Sequence, residues 1–473
     1  MSNYVVPSAQ INQELQQLPV FTSSPQAVLV IGQYMPINCV ASIAPDATAL
    51  TGLETITYAL TPTVKITSTT GTGATAIPVL TAGKVTAFTI TNPGTGYLTA
   101  PTVTVTPVAG DLTGVVNAAS IATITATRAV NNTYAGTIGS VTSTADIIAA
   151  FGDISVANPI AMGLNMAVLN ANGTAVYYAT VNADTASVTG DYSTALTLAD
   201  KSNLYYGIVP LSYNLGVQAA VMADVNAMST AANAKWRTCW LSTAWGSGMT
   251  TGAAYIATLP AVGVEGTTGS TGPRRVHNVF PDQFYLDTTG TTALAGYFMA
   301  AACAGARAGS VPHQSLTNTE IVGPVYIPRV LTMSETDLNV IAGAGVWIVT
   351  QDSKGSTAYT RHQLTADSTN LNYREDSVTA DVDSITYGLQ AALAPFIGIY
   401  NINPATVLKI RAAVDGELSY RLNNTYTERA GNQLTGYKII NISQDPNFQD
   451  TINVSVGLNV PYPVNYIVVT LSI

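Results

Sequence analysis

The chain has 473 residues, 47% of them hydrophobic and only 10% charged, with a formal net charge of −9. That length accommodates roughly two to four domains with substantial cores, but soluble domains ordinarily carry roughly 25% charged residues. The acidic balance and the lack of any Lys/Arg run exclude a general nucleic-acid binder, and no stretch approaches the roughly 18 uncharged apolar residues of a membrane-spanning helix.

Thr, Ala, Asn and Gly stand where charges would be. A neutral Thr/Asn surface buries readily in contacts, so the composition predicts a protein whose surface is mostly interface. The opening residues, MSNYVVPSAQINQELQQLPV, lack both a basic start and an apolar run, so no signal peptide is expected. Cys39, Cys239 and Cys303 are scattered and odd in number. They form neither a CxxC pair nor a disulfide framework, which predicts a reducing compartment.

In chain order, residues 1–26 read as an arm, with Tyr4-Val5-Val6 before Pro7 and a Gln-rich stretch after it. Ala27-Val28-Leu29-Val30-Ile31-Gly32 is the first core strand, apolar on both faces. Residues 55–140 are Thr-, Gly- and Val-rich and almost uncharged. Alternation in 84–90 and again in 102–105, around the turn Asn92-Pro93-Gly94, predicts a hairpin-rich all-β insertion. Asn158-Pro159 opens a helix that Asn172-Gly173 ends, and a strand follows at 175–181. A strand at 204–210, a helix at 217–228 and a strand at 235–241 have the spacing of a parallel pair joined by a crossover.

Residues 246–272 form a glycine-rich loop without the spacing of a phosphate cradle. An Ala-rich helix is predicted over 293–308. Ser334 with Asp337 predicts a capping box, and Gly343 and Gly345 end the helix behind it. Val346-Trp347-Ile348-Val349 begins a hairpin that returns over 357–364. A long helix follows, with Val378, Val382, Ile385, Leu389, Leu393 and Phe396 on one stripe. Asn403-Pro404 opens the closing helix, on which Glu417 and Arg421 form an i,i+4 pair on the polar side.

The chain ends in two apolar segments. Ile452, Val454 and Val456 alternate with polar residues, predicting a strand with one wet face. Tyr466, Ile467, Val468 and Val469 run consecutively, so both faces of that strand need cover. Either it threads into its own core or it completes a sheet in another subunit.

Catalytic chemistry finds little support. His277, His313 and His362 have no partner at zinc-ligand spacing, and no G-x-S-x-G elbow or calcium loop is present. Asp381 and Asp383 are expected on the solvated face of their helix. The expectation is a protein that is not an enzyme and that carries no cofactor or metal.

The order of elements resembles the contractile tail sheath proteins of myovirus-type bacteriophages and related contractile injection systems. Four stretches carry it: the strand at 27–32; Phe151-Gly152 followed by Asn158-Pro159-Ile160, Asn172-Gly173 and Val176-Tyr177-Tyr178; the Ala-rich helix with the loop to Gly323-Pro324; and the serine-capped helix with Gly343-Ala344-Gly345-Val346-Trp347, Arg361-His362-Gln363-Leu364 and the two closing helices. Together they cover 27–54 and 141–473.

The resemblance implies a mixed α/β, multi-domain chain, with parallel and mixed sheets, flanking helices and extended terminal arms. The expected parts are an N-terminal arm at 1–26 and the start of the sheath core at 27–54 and 141–202. Residues 55–140 are a surface insertion, 203–365 an α/β domain, 366–450 a helical core and 451–473 a C-terminal strand arm. It further implies hexameric rings stacked around a tail tube, assembled in the host bacterial cytoplasm and carried on the virion. Partners would be copies of itself, the tube protein, and baseplate and neck or terminator proteins, with no direct nucleic acid and no membrane insertion. Strand exchange between subunits would use Tyr4, Val5, Val6, Ile452, Val454, Val456, Tyr466, Ile467, Val468, Val469 and Leu471. The tube would meet Lys409 and Arg421. Two other readings of the residues are a hydrolytic α/β enzyme with a β-rich binding insertion, and a static surface-layer or fibre protein.

Overall fold

A computed structural model describes residues 25–34, 38–43, 57–69, 71–94, 101–109, 111, 122–125, 127–130, 134, 136–152, 154–182, 184, 192–230, 232–261, 273–368, 370–427 and 430–465. The strand Ala27–Gln33 organises them. It is buried along almost its whole length and pairs in parallel with Val176–Val181 on one side and Tyr205–Pro210 on the other. From Tyr205–Pro210 the sheet continues in parallel through Thr238–Leu241, Val276–Phe280 and Val346–Thr350. Antiparallel strands Tyr359–Thr360 and Ile138–Val141 close its two edges, giving eight strands in all.

Parallel strands covered on both faces need apolar residues at every position, and Ala27–Gln33 divides its side chains between two cores. Val28 and Val30 face helices Pro159–Asn170 and Gly296–Ala308. Ala27, Leu29 and Ile31 face helices Tyr192–Ala199 and Leu215–Met228. The two helices on the first face approach so closely that a Cβ at Gly305 would strike the carbonyl of Ala167. The small residues read from the sequence as a close-packing helix serve that contact.

The crossover from Tyr205–Pro210 to Thr238–Leu241 gives a parallel pair, as its spacing predicts. Several local expectations shift. The strand expected from 235 begins at Thr238, because the buried guanidinium of Arg237 turns to Asp200 and to the carbonyls of Ala199 and Ser202. The helix expected from 293 begins at Gly296, because Ala293–Ala295 pairs instead with Gln283–Tyr285. The loop at 246–272 contains a short helix, Gly252–Ile256.

Ser334 does cap helix Glu335–Gly343 by accepting from Asp337 N, but the reciprocal half of the box is missing. Asp337 Oδ1 accepts the Gly252 N–H at 2.8 Å instead, tying the loop to the helix. A complete capping box forms elsewhere, between Ser143 and Asp146.

Between residues 57 and 130 of the inserted block the described elements are all strands. Thr63–Thr67, Thr102–Thr106 and Ala122–Thr125 make one antiparallel sheet, and Thr75–Thr81 with Lys84–Asn92 a hairpin. Asn38–Ser42 pairs with Thr127–Val130 at its stem. Its core comprises Ile43, Tyr58, Ala76, Val85, Val103 and Val105.

After the main sheet come helices Asp376–Leu393 and Pro404–Asn423 and an antiparallel hairpin, Gly436–Gln444 with Ile452–Asn459. Ile385, Leu389, Ile410, Val414, Leu418, Ile442 and Val454 share one core there.

Candidate functional site

Helix Asp376–Leu393 is where the sheet body and the C-terminal layer meet, and its carboxylates are buried. Asp376, Asp381 and Asp383 are between 0% and 3% exposed. This overturns the expectation that Asp381 and Asp383 sit on a solvated face. The helix has cover on both sides, so each carboxylate requires an internal partner.

Asp376 and Asp383 are seven residues apart, two turns along one helix face, and both reach the start of the strand Val276–Phe280. Asp376 Oδ1 lies 2.9 Å from His277 Nε2, and its Oδ2 takes Arg307 Nη1 at 3.0 Å. His277 is stacked on Trp240 with ring centroids 4.1 Å apart and lies edge-on to Trp347. Burial alone would push the Asp376 carboxyl up, but Arg307 and His277 hold it below the usual carboxylate range.

Asp383 receives both terminal nitrogens of Arg275, at 2.7 and 2.9 Å, and the Tyr206 hydroxyl at 2.9 Å. Burial, then the Asp383 charge, drives that hydroxyl well above its ordinary value. A planar guanidinium matched to a carboxylate fixes angle as well as distance. The seam therefore sets how the helix sits on the sheet.

The remaining carboxylate points towards the C-terminal layer. Asp381 Oδ1 accepts from Gln433 Nε2 at 2.9 Å, and Gln433 Oε1 accepts from Arg421 Nη1 at 2.7 Å. Arg421 also donates to Glu417 Oε1 at 2.6 Å and Ser384 Oγ at 3.2 Å. With its nearest formal charges farther off, Asp381 is pushed by burial up to about 8. Gly388 makes the crossing of the two helices possible, since a Cβ there would collide with Glu417 Oε1 and Arg421 Nη2.

The sequence's own candidates divide. Tyr4, Val5 and Val6, with Tyr466, Ile467, Val468, Val469 and Leu471, lie outside the described residues. Ile452, Val454 and Val456 lie in the hairpin, paired with Gln444, Ile442 and Ile439 of the same chain, and their side chains pack on the helical core. Among the described residues the hairpin has two strands, so each keeps one backbone edge without a ladder partner. Lys409 is exposed, with its ammonium 4.9 Å from the Tyr400 ring centroid. Arg421 is turned inwards, and the i,i+4 pair with Glu417 is part of the buried seam rather than a wet helix face.

Sequence reading missed Arg275, His277 and Arg307. Their signal was faint: Arg275 and His277 stand at the start of an apolar strand and Arg307 inside an Ala-rich helix, far in sequence from a helix with three Asp among its first eight residues. His362 Nε2 lies 2.8 Å from Glu375 Oε1.

In open α/β sheets, ligands bind beyond the strand ends where the strand order reverses. Here Leu211 fills that place, its side chain seated over Gly32 and Gly163. Among the described residues no group of three His, Cys, Asp or Glu is placed to hold a metal ion, and no helix is long and apolar enough to cross a membrane. The arrangement holds elements together.

No protein-family model matches the chain. The tail sheath protein of Mycobacterium phage Bxz1 is 26% identical over 208 residues, covering 42% of this chain and 33% of that relative. The match therefore spans about a third of the relative's length. The helical sheath of the anti-feeding prophage in its contracted state superposes with a TM-score of 0.53 at 15% identity, covering 72% of this chain and 90% of that one. The PVC sheath complex of an extracellular contractile injection system, also contracted, gives 0.53 at 13% identity, over 72% and 88%. The chain is built on the fold of the contractile sheath proteins, the family that the order of its elements resembles.

Proposed function

We propose that the chain is a structural subunit of a contractile phage tail sheath. The shared fold, extending over 72% of the chain, carries this reading, and the identity to a phage tail sheath protein directs it towards a virion. Subunits assemble into hexameric rings stacked around a tail tube, with the terminal segments at 1–26 and 466–473 adding strands to neighbouring copies. Among the described residues the hairpin Gly436–Gln444 and Ile452–Asn459 has open outer edges, which support such an exchange, because an open ladder edge offers N–H and C=O groups to another chain. Baseplate and terminator proteins cap the stack. Contraction is a rearrangement between two packings of folded subunits that drives the tube through the host envelope, and the role requires no catalytic step.

On the closing helix Lys409, with the exposed Leu408 and Arg411 beside it, is the tube-facing group; Arg421 serves the interior instead. Negative-stain electron microscopy of the purified chain, with and without tube protein, tests the proposal. Hollow tubes or stacked rings of uniform width are expected, and deletion of residues 466–473 should leave a folded monomer that forms neither. A full-length chain that remains monomeric at every concentration with tube protein present overturns it.

A further inference from the structure

Beyond Asn459 the chain leaves its hairpin as Val460-Pro461-Tyr462-Pro463-Val464-Asn465. Prolines at alternate positions remove two N–H donors and fix φ, so the stretch cannot continue the ladder and stays extended and stiff. It is not embedded in a core. Tyr462 is 52% and Val464 80% exposed. The strut runs along an open groove of about 560 Å³, bounded on its other side by Leu371, Asn372, Arg374 and Glu375.

Polar contacts hold it at two points. The Tyr462 hydroxyl donates to Asn372 Oδ1. Farther on, Asn465 Nδ2 donates to Glu375 Oε1 at 3.1 Å and lies 3.1 Å from His362 Nε2. Glu375 is the hub of this second point. Its carboxylate is 2% exposed and also faces His362 Nε2 at 2.8 Å, Gln363 Nε2 at 3.3 Å and Arg374 Nε at 3.6 Å. A buried carboxylate needs donors on its lone pairs, so the Asn465 amide has a defined seat. That seat is rigid, because the next residue is Asp376, locked to His277 and Arg307.

We infer that Asn465 is a latch. With its amide on Glu375, residues 461–465 form a pinned strut that fixes where residue 465 stands on the body. When that contact opens, residues 463–465 swing about Tyr462, which its hydroxyl still ties to Asn372, and the 80% exposed Val464 offers little to resist the motion. Asn465 is a positioning residue; its effect on assembly rests on the sheath reading, whereas the latch itself belongs to the monomer.

A nitroxide at Val464→Cys, with Cys39 replaced by Ser and the buried Cys239 and Cys303 left in place, reads the strut directly. In the parent a slow component should dominate the electron paramagnetic resonance line. Asn465→Leu, which cannot donate, and Asn465→Asp, which sets a second carboxylate against Glu375, should each shorten the label's correlation time at least about threefold, into the range of mobile loops. The melting temperature should not move, since the residue lies outside every core. A line shape unchanged in both variants overturns the latch, whatever the tubes do. Imaging the same variants reads the second half separately: a mobile label with fewer or irregular tubes is expected, and a mobile label with tubes of parent yield and width overturns the effect on assembly.

Discussion

The sheet body and the inserted β-block are built from similar residues yet held in different ways. In the body, Ala27–Gln33 and Val276–Phe280 are buried at nearly every position, and the remaining risk is polar: cations and carboxylates sealed where helix Asp376–Leu393 meets the start of the interior strand Val276–Phe280. In the insertion, Lys84–Asn92 alternates between buried and exposed along one thin core, and threonines cover the outside. Thr75 and Thr91 hydrogen-bond across the hairpin at 2.7 Å, and Thr81 and Thr86 at 3.1 Å. Such cross-strand hydroxyl pairs stabilise a sheet weakly and locally. A thick core tolerates buried charge only when the charge is fully partnered, and the thin core of the insertion keeps the same rule at Asp111, whose buried carboxylate accepts the Ala59 and Leu60 N–H groups. The body is therefore brittle at a few polar points, and the insertion depends on its small apolar core.

The largest effect expected on that difference comes from Asp376→Ala. It leaves Arg307 buried without its carboxylate and should lower stability by about 3–5 kcal/mol, read by urea unfolding of the main transition. The acid limb should change with it. A carboxyl depressed in the folded state contributes stability present above its unfolded value of 3.8 and lost as pH falls through the folded one. A loss below about 1 kcal/mol would show that the seam is not what holds the helix to the sheet.

Val103→Ala comes next, removing part of a fully buried side chain from the small core. It should cost about 2 kcal/mol and lower an early transition of the insertion alone. Calorimetry showing one transition shifted as a whole would mean that body and insertion unfold together.

Asp381→Asn probes the seam from the opposite side. Its carboxyl is raised from 3.8 to about 8. The folded state thus prefers the neutral acid, and that contribution is present below pH 3.8 and lost as pH rises through about 8. Asparagine removes the penalty. The variant should lack the parent's decline and so gain on it steadily between pH 3.8 and about 8, measured as melting temperature against pH. Parallel curves for the two proteins would mean that Asp381 is ionised across this range.

Smallest of all is Thr86→Val on the insertion's surface, expected to change stability by less than about 0.5 kcal/mol. A larger loss would give the threonine pairs more weight than the comparison allows.

Much of the fold was legible because its periodicities are local. The unbroken apolar run at 27–32 gave a strand covered on both faces, and it lies inside the sheet. Asn172 and Gly173 marked a break, and both adopt positive φ. Asn403 and Pro404 opened the closing helix as read. The buried seam was not legible. Asp381 and Asp383 have the spacing of a wet helix face, and nothing nearby in sequence announces Arg275 or Gln433, 108 and 52 residues away respectively.

The sequence by itself therefore determined the kinds of element, their order and the family they resemble, since hydrophobic period and cap chemistry act over a few residues. Tertiary structure alone decided which charges are inside and how the chain beyond Asn459 is held. Those outcomes depend on groups far apart in the chain, brought together by packing of elements whose local pattern contains no record of their partners.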